Sequence, residues 1–188
     1  WFLHNHAPYS SWLAPGGSRM LWLTSYDQIF AYPAGNLTAL SWWQSGLGAI
    51  LRARTWSLGL NAGTTFAVQG GIFLLPFILI AGWHLRKEKL IQLAGLSWLL
   101  VLLAMTLAFP FAGARGGFFH SGAALQPIWW ALAPIGLERF IQWGRRKRGW
   151  IETRARPVFL SVMVGLGIFL TILVAFLRLP GWGQEAAR

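Results

Sequence analysis

Four stretches of this chain are each long and apolar enough to cross a bilayer, and nothing else in the sequence constrains the fold as much. A spanning helix needs about 20 largely apolar residues to traverse about 30 Å of hydrocarbon. The stretches run from about Phe66 to Leu85, Leu90 to Ala112, Gly116 to Leu137 and Val158 to Leu177. Lipid offers no hydrogen bonds, so the backbone of each must be satisfied internally or by its neighbours. The pattern therefore predicts an all-α fold, a polytopic membrane helical bundle of about four transmembrane helices. Composition agrees, because 11% of the 188 residues are charged, against about 25% in soluble domains. Many of the tryptophans sit near the ends of the apolar runs, where amphipathic rings settle at a bilayer surface.

Within the runs, Pro76 and Pro127 each remove a helical hydrogen bond and predict kinks. The third run is the least helical, interrupted by His120, Gln126, Pro127 and Pro134. Gly70, Gly71, Gly165 and Gly167 permit close helix contacts. Gln69 and Gln126 lie inside apolar runs and are expected to face protein rather than lipid.

A net charge of +11 invites a nucleic-acid reading, but its distribution argues against one, since topology explains the clustering better. Of the 16 Lys and Arg residues, ten fall in two connections between apolar runs: Arg86, Lys87 and Lys89, then Arg139, Arg145, Arg146, Lys147, Arg148, Arg154 and Arg156. The positive-inside rule puts both connections in the cytoplasm. The connection around Arg115 and both chain ends then face outward, giving a multi-pass protein of the plasma (inner) membrane. The run Arg145-Arg146-Lys147-Arg148 also attracts anionic membrane lipids.

Residues 1–55 form an extracytoplasmic or interfacial segment and residues 56–188 the transmembrane bundle. Pro8, Pro15, Gly16, Gly17, Pro33 and Gly35 punctuate the first segment. Asn36 or Thr38 caps a short helix that places Leu40, Trp43, Leu47, Ile50 and Leu51 on one face. Such a helix lies along a membrane surface or packs as an ordinary helix. Asn36-Leu37-Thr38 also fits a glycosylation acceptor. The chain opens on Trp1 rather than methionine and shows no signal peptide. The expectation is a C-terminal part of a longer polypeptide, its N-terminal half missing.

Chemistry concentrates between Phe109 and Gly122, on the expected outer side. Gly116 and Gly117 beside a lone Arg115 let backbone approach a ligand, and the planar guanidinium suits a phosphate. His120 and Ser121 follow at the head of the next helix, where free amides favour anions. The competing reading makes Arg115 a snorkelling interface anchor and His120 a helix-entry residue. Asp27, the sole aspartate, is either an acid–base group or a turn residue. His4 and His6 have a metal-compatible spacing without a third ligand, so no metal or cofactor is expected. His84 and His120 sit at opposite ends of their runs and do not form a haem pair. The absence of cysteine excludes disulfides, thiolate metal sites and a Cys nucleophile.

The block Thr106–Leu137, TLAFPFAGARGGFFHSGAALQPIWWALAPIGL, resembles the later membrane portion of bacterial family-39-type glycosyltransferases. These GT-C enzymes are related to dolichyl-phosphate-mannose protein mannosyltransferases. The likeness extends through Ser25-Tyr26-Asp27-Gln28-Ile29-Phe30-Ala31-Tyr32-Pro33 and Val68-Gln69-Gly70-Gly71-Ile72-Phe73. It implies sugar transfer from a polyprenyl-phosphate donor at the extracytoplasmic face of a bacterial inner membrane. It also implies that Arg115, with Phe118, Phe119 and Pro127, belongs to the donor side. The family's catalytic aspartate lies in a first external loop; Asp27 comes too late in the order to match it. The alternative is a small non-enzymatic membrane subunit of a larger complex.

Overall fold

The computed structural model describes residues 18–30 and 37–185, with side chains for 20–30 and 37–177. The described residues are helices, turns and loops without a strand. Seven helices follow in order: α1 (Ala39–Gln44), α2 (Leu47–Thr64), α3 (Leu75–His84), α4 (Lys89–Leu103), α5 (Phe118–Ala123), α6 (Gln126–Arg148) and α7 (Glu152–Glu185). Three wider i→i+5 segments interleave them, at Thr65–Gln69, Ala104–Ala108 and Gly113–Gly117. Short 3₁₀ turns lie at Ser18–Trp22 and Asp27–Ile29, and a single helical turn at Pro110–Ala112.

Two helices are long and apolar enough to cross a membrane, Lys89–Ala108 and Glu152–Leu177. No side chain of α7 from Val158 to Leu177 is buried. A soluble core helix would be covered; this one leaves most of its apolar surface open.

The other two apolar runs are broken. Between 66 and 85 the helical path stops at Gly70, and Gly71 and Ile72 take positive φ values of 54° and 59°. The apolar helix that resumes, α3, has 10 residues, about 15 Å of rise and half a bilayer core. Between 116 and 137, the path turns at Ala124 and Leu125 before α6 begins.

The prolines explain where the chain restarts. Pro76 and Pro127 each occupy the second position of a helix, α3 and α6. The first N–H groups of a helix have no intrahelical partner, so proline is harmless there. Kinks expected at these prolines are therefore helix starts. Pro134 is the proline inside α6. That helix runs through the basic residues, so Arg145, Arg146, Lys147 and Arg148 form its last turn rather than a loop. Cations there complement the helix dipole, and Gly149 at φ 67° ends the helix.

The expected surface helix near residue 40 is two helices. Thr38 caps α1, accepting from Ser41 N at 3.2 Å while Ser41 Oγ accepts from Thr38 N at 2.9 Å. Gly46, at φ 83°, separates α1 from α2. Leu40, Trp43, Leu47 and Leu51 are exposed, whereas Ile50 is buried, so the five do not share one environment. α2 continues through residue 55, where the sequence suggested a boundary. Asn36, and with it the glycosylation triplet, lies outside the described residues.

The chain forms two compact units, one comprising residues 1–72 and 85–130, the other 73–84 and 131–188. In the first, Leu23, Ala53 and Phe111 form a core against which Met20, Ile29 and Leu37 pack. In the second, Phe140 gathers the rings of Phe77, Trp143, Trp150 and Phe159 within 5.8 Å of its own. Gly136 lets the Phe77 carbonyl sit against α6, where any Cβ would collide with it.

Candidate functional site

The site is built in the first unit, starting from Pro110. Proline disfavours helical geometry in the preceding residue, and Phe109 leaves the helix at φ −122°, ψ 56°. Phe109 N donates to Ala104 O at 3.0 Å, an i→i+5 bond. The next carbonyl, Met105 O, would continue that register onto Pro110, which has no N–H. Ser57 Oγ of α2 donates to it instead at 3.4 Å. Asn61, one turn further along α2, donates from Nδ2 to Thr106 Oγ1 at 3.0 Å. Ser57, Asn61 and Thr106 are all buried.

Beyond Pro110 the chain turns back. A Cβ on Gly113 would collide with the Met105 carbonyl, so only glycine allows this approach. Phe111, 4% exposed, contacts the rings of Trp56 at 5.5 Å and Tyr26 at 6.3 Å. Gly116 sits at φ 111° inside the Gly113–Gly117 segment, a conformation that side-chain-bearing residues rarely adopt. This places Arg115 at the surface against the 20s turn. Its Cζ lies 5.4 Å from the Tyr26 ring centre and 5.6 Å from that of Phe30. The two rings meet edge-on at 5.6 Å. Arg115 is exposed, and no carboxylate pairs with it among the described residues.

Asp27 begins the 3₁₀ turn between those two rings, its carbonyl accepting from Phe30 N at 3.0 Å. Its carboxylate is exposed and forms no ion pair among the described residues. Gln28 fixes the approach to this turn: its Oε1 accepts from Thr24 N at 2.8 Å and Ser25 N at 3.2 Å. The turn role of Asp27 thus rests on its backbone, and its side chain forms no ion pair among the described residues.

His120 is exposed on α5, its ring edge facing Gly116, and it meets Phe119 edge-on at 5.1 Å. Ser121 is half-buried, and Gly117 lies in the backbone between Arg115 and α5. Gly122 leaves the space that the Gln69 amide fills. Gln69 is buried, with Oε1 accepting from Trp98 Nε1 at 2.8 Å. Gln126 Nε2 donates to the carbonyls of Val68 at 3.0 Å and Gln69 at 3.2 Å. Both glutamines face protein. His4 and His6 lie outside the described residues. Among the described residues, no three His, Asp or Glu side chains gather in a metal-binding group.

One residue that sequence reasoning left among scattered outer cations proves central. Arg54 of α2 is buried, and donates from Nη1 to Leu23 O at 2.9 Å and from Nη2 to Leu21 O at 3.2 Å. Its guanidinium lies 5.3 Å from the Trp42 ring centre. Burial pulls its pKa below the ordinary value, yet a guanidinium stays a cation there. Arg54 ties the segment before the Tyr26–Phe30 turn to α2. A signal for the buried stripe does exist in the sequence: Ser57, Asn61, Thr65 and Gln69 recur every fourth residue, which aligns them on one helix face.

Arg115 and its rings therefore present an unpaired cation, an uncompensated carboxylate in the facing turn, and an imidazole at the glycine bend. Such a set can grip an anion and exchange a proton. Compared with protein-family models, curated proteins and solved structures, the chain matches none.

Proposed function

We propose that this chain is the donor-binding part of an integral membrane glycosyltransferase that transfers a sugar from a polyprenyl phosphate at the extracytoplasmic face. The observation that carries this reading is Arg115, held over Tyr26 and Phe30 with no carboxylate to neutralise it among the described residues. Cation–π contact holds the guanidinium without consuming its N–H donors, which remain available to a phosphate. In the transfer, an acceptor hydroxyl attacks the sugar's anomeric carbon while the bond to the donor phosphate oxygen breaks. A base takes the hydroxyl proton, and the leaving polyprenyl phosphate keeps the electron pair and gains negative charge. Arg115 stabilises that charge. Gly116 and Gly117 admit the phosphate to the backbone, with His120 and Ser121 beside it. The resemblance places the base in a first external loop with no counterpart here, and Asp27 is the candidate base that this chain itself offers.

The topology belongs to the same proposal. Lys89–Ala108 and Glu152–Leu177 cross the membrane as continuous helices. The runs 66–85 and 116–137 cross as broken ones, both chain ends facing outward. Irregular backbone at membrane depth is tolerated where protein covers it, and the Gln126 bonds to the Val68 and Gln69 carbonyls satisfy backbone beside the first break.

The test restores the N-terminal half and measures transfer from a polyprenyl-phosphate sugar. Arg115→Ala should lower the rate about a hundredfold or more, with Arg115→Lys between it and the parent. Unchanged transfer removes Arg115 from the site. The uncovered surface of α7 favours a second reading, a non-enzymatic subunit packed in a larger membrane complex. Stable co-isolation with other subunits, and no transfer by the restored polypeptide, would establish that one.

A further inference from the structure

The second unit carries a different feature, at the turn joining α6 to α7. An open groove of about 640 Å³ is lined by Arg145, Trp150, Glu152, Thr153, Arg156 and Pro157, together with Ile151. Two guanidiniums face one carboxylate there: Arg145 Nη1 pairs with Glu152 Oε2 at 3.0 Å, and Arg156 Nη2 with Glu152 Oε1 at 3.2 Å. Arg156 Nη2 also reaches Glu138 Oε2 at 2.7 Å. A guanidinium has five N–H donors, and each arginine spends one nitrogen on these pairs, so both keep donors for an anion. The pairs orient the two forks and leave them half-exposed or more.

Around the groove the charge is one-sided. Arg146, Lys147, Arg148 and Arg154 are exposed and form no ion pair among the described residues. Glu138 and Glu152 are the only carboxylates in the described part of this unit up to Leu177. On the other side of the groove, α7 continues from Pro157 as an uncovered apolar surface that includes Val158, Leu160, Val162 and Val164. Trp150 stands where these two surfaces meet, its ring seated on Gly144 and packed against Phe159 at 5.4 Å. Anionic headgroups attract basic residues just outside a spanning helix, and a tryptophan at that level is amphipathic in the same sense.

We infer that the groove between Arg145 and Arg156 binds the phosphate of an anionic glycerophospholipid whose acyl chains lie along α7. This rests on α7 crossing the bilayer but not on the glycosyltransferase reading, and it concerns a different unit from Arg115.

The experiment places the full chain in nanodiscs of phosphatidylcholine with increasing phosphatidylglycerol and counts retained phosphatidylglycerol by native mass spectrometry. The parent should retain it selectively at physiological salt. Arg145→Gln with Arg156→Gln should weaken retention about tenfold or more, whereas Arg146→Gln, Lys147→Gln and Arg148→Gln together should weaken it less. Glu152→Gln removes the competing carboxylate and should strengthen retention. If the arginines and Glu152 served only as a strut between α6 and α7, Glu152→Gln would weaken retention too, which overturns the inference. An equal loss from the flanking triple variant overturns it as well, since general charge would then suffice. Displacement of the lipid by millimolar inorganic phosphate would show a free-anion site and equally reject a lipid one.

Discussion

Replacing Arg54 by methionine tests how the 20s turn is held against Arg115. Methionine keeps an unbranched apolar stem and removes every donor. The Leu23 carbonyl, on a residue 1% exposed, loses its 2.9 Å partner and has no route to water. The Leu21 carbonyl, on a half-buried residue, loses a 3.2 Å bond and can be partly resolvated. A hydrogen bond to a charged donor contributes about 1.5–3 kcal/mol, and contact with an aromatic face about 0.5–1 kcal/mol more. The relief of desolvating one guanidinium offsets part of that, leaving about 2–4 kcal/mol. Because both carbonyls that Arg54 holds lie in the segment before Tyr26, the loss is local: amide exchange of residues 21–30 should accelerate about 30- to 1,000-fold. Exchange in α7 should not change. Arg54→Lys retains the charge without the fork and should recover a minority of the protection. Unchanged exchange in residues 21–30, or an equal acceleration in every helix, would refute the claim that Arg54 is what ties this segment down.

Four further substitutions have expected outcomes. Gly116→Ala forces a side chain onto φ 111° and should cost about 1–3 kcal/mol, read as a fall in Tm. Gly136→Ala drives a methyl into the Phe77 carbonyl and should destabilise the protein by about 1–3 kcal/mol; Gly59→Ala, in the open interior of α2, should stabilise it by about 0.5–1 kcal/mol in the same denaturation assay. Ser57→Ala should cost about 1 kcal/mol by orphaning Met105 O. The same change should cost little in a Pro110→Ala background, where residue 110 regains an N–H, and a double-mutant denaturation cycle measures the difference.

What the sequence revealed and what it hid have separate physical causes. Apolar runs announced helices because burying or solvating a backbone in lipid leaves few alternatives, and α4 and α7 appear where the runs place them. Thr38 was legible as one of two candidate caps because a cap accepts from an N–H only three residues on, and the structure adds Ser41 as its reciprocal partner. The breaks at Gly70 and Ala124 were invisible to hydropathy, which averages over a turn as readily as over a helix. Pro76 and Pro127 were legible as interruptions but not as starts, because proline removes a hydrogen bond only if one would otherwise exist. Arg115, Gly116, Gly117 and His120 stand close in sequence and could be grouped from it. Tyr26 and Phe30 stand some 90 residues away, and no local rule connects them to Arg115.

That long-range connection has a chain of causes which begins with Pro110. Its missing N–H and its effect on Phe109 end the helical path from α4, so Met105 O needs a donor from elsewhere. Ser57 supplies it, which fixes the turning chain against α2. Phe111 then falls on the surface of α2 that carries Ala53 and Trp56, and it packs with Leu23. Leu23 is the residue whose carbonyl Arg54 holds. The loop of Arg115 and the turn of Tyr26 and Phe30 are thus both fastened to α2, one through Ser57 and the other through Arg54, three residues apart in sequence. Their meeting follows from two attachments to one rigid helix, which accounts for a cation held between rings at the protein surface where cation–π contact alone contributes about 0.5–1 kcal/mol.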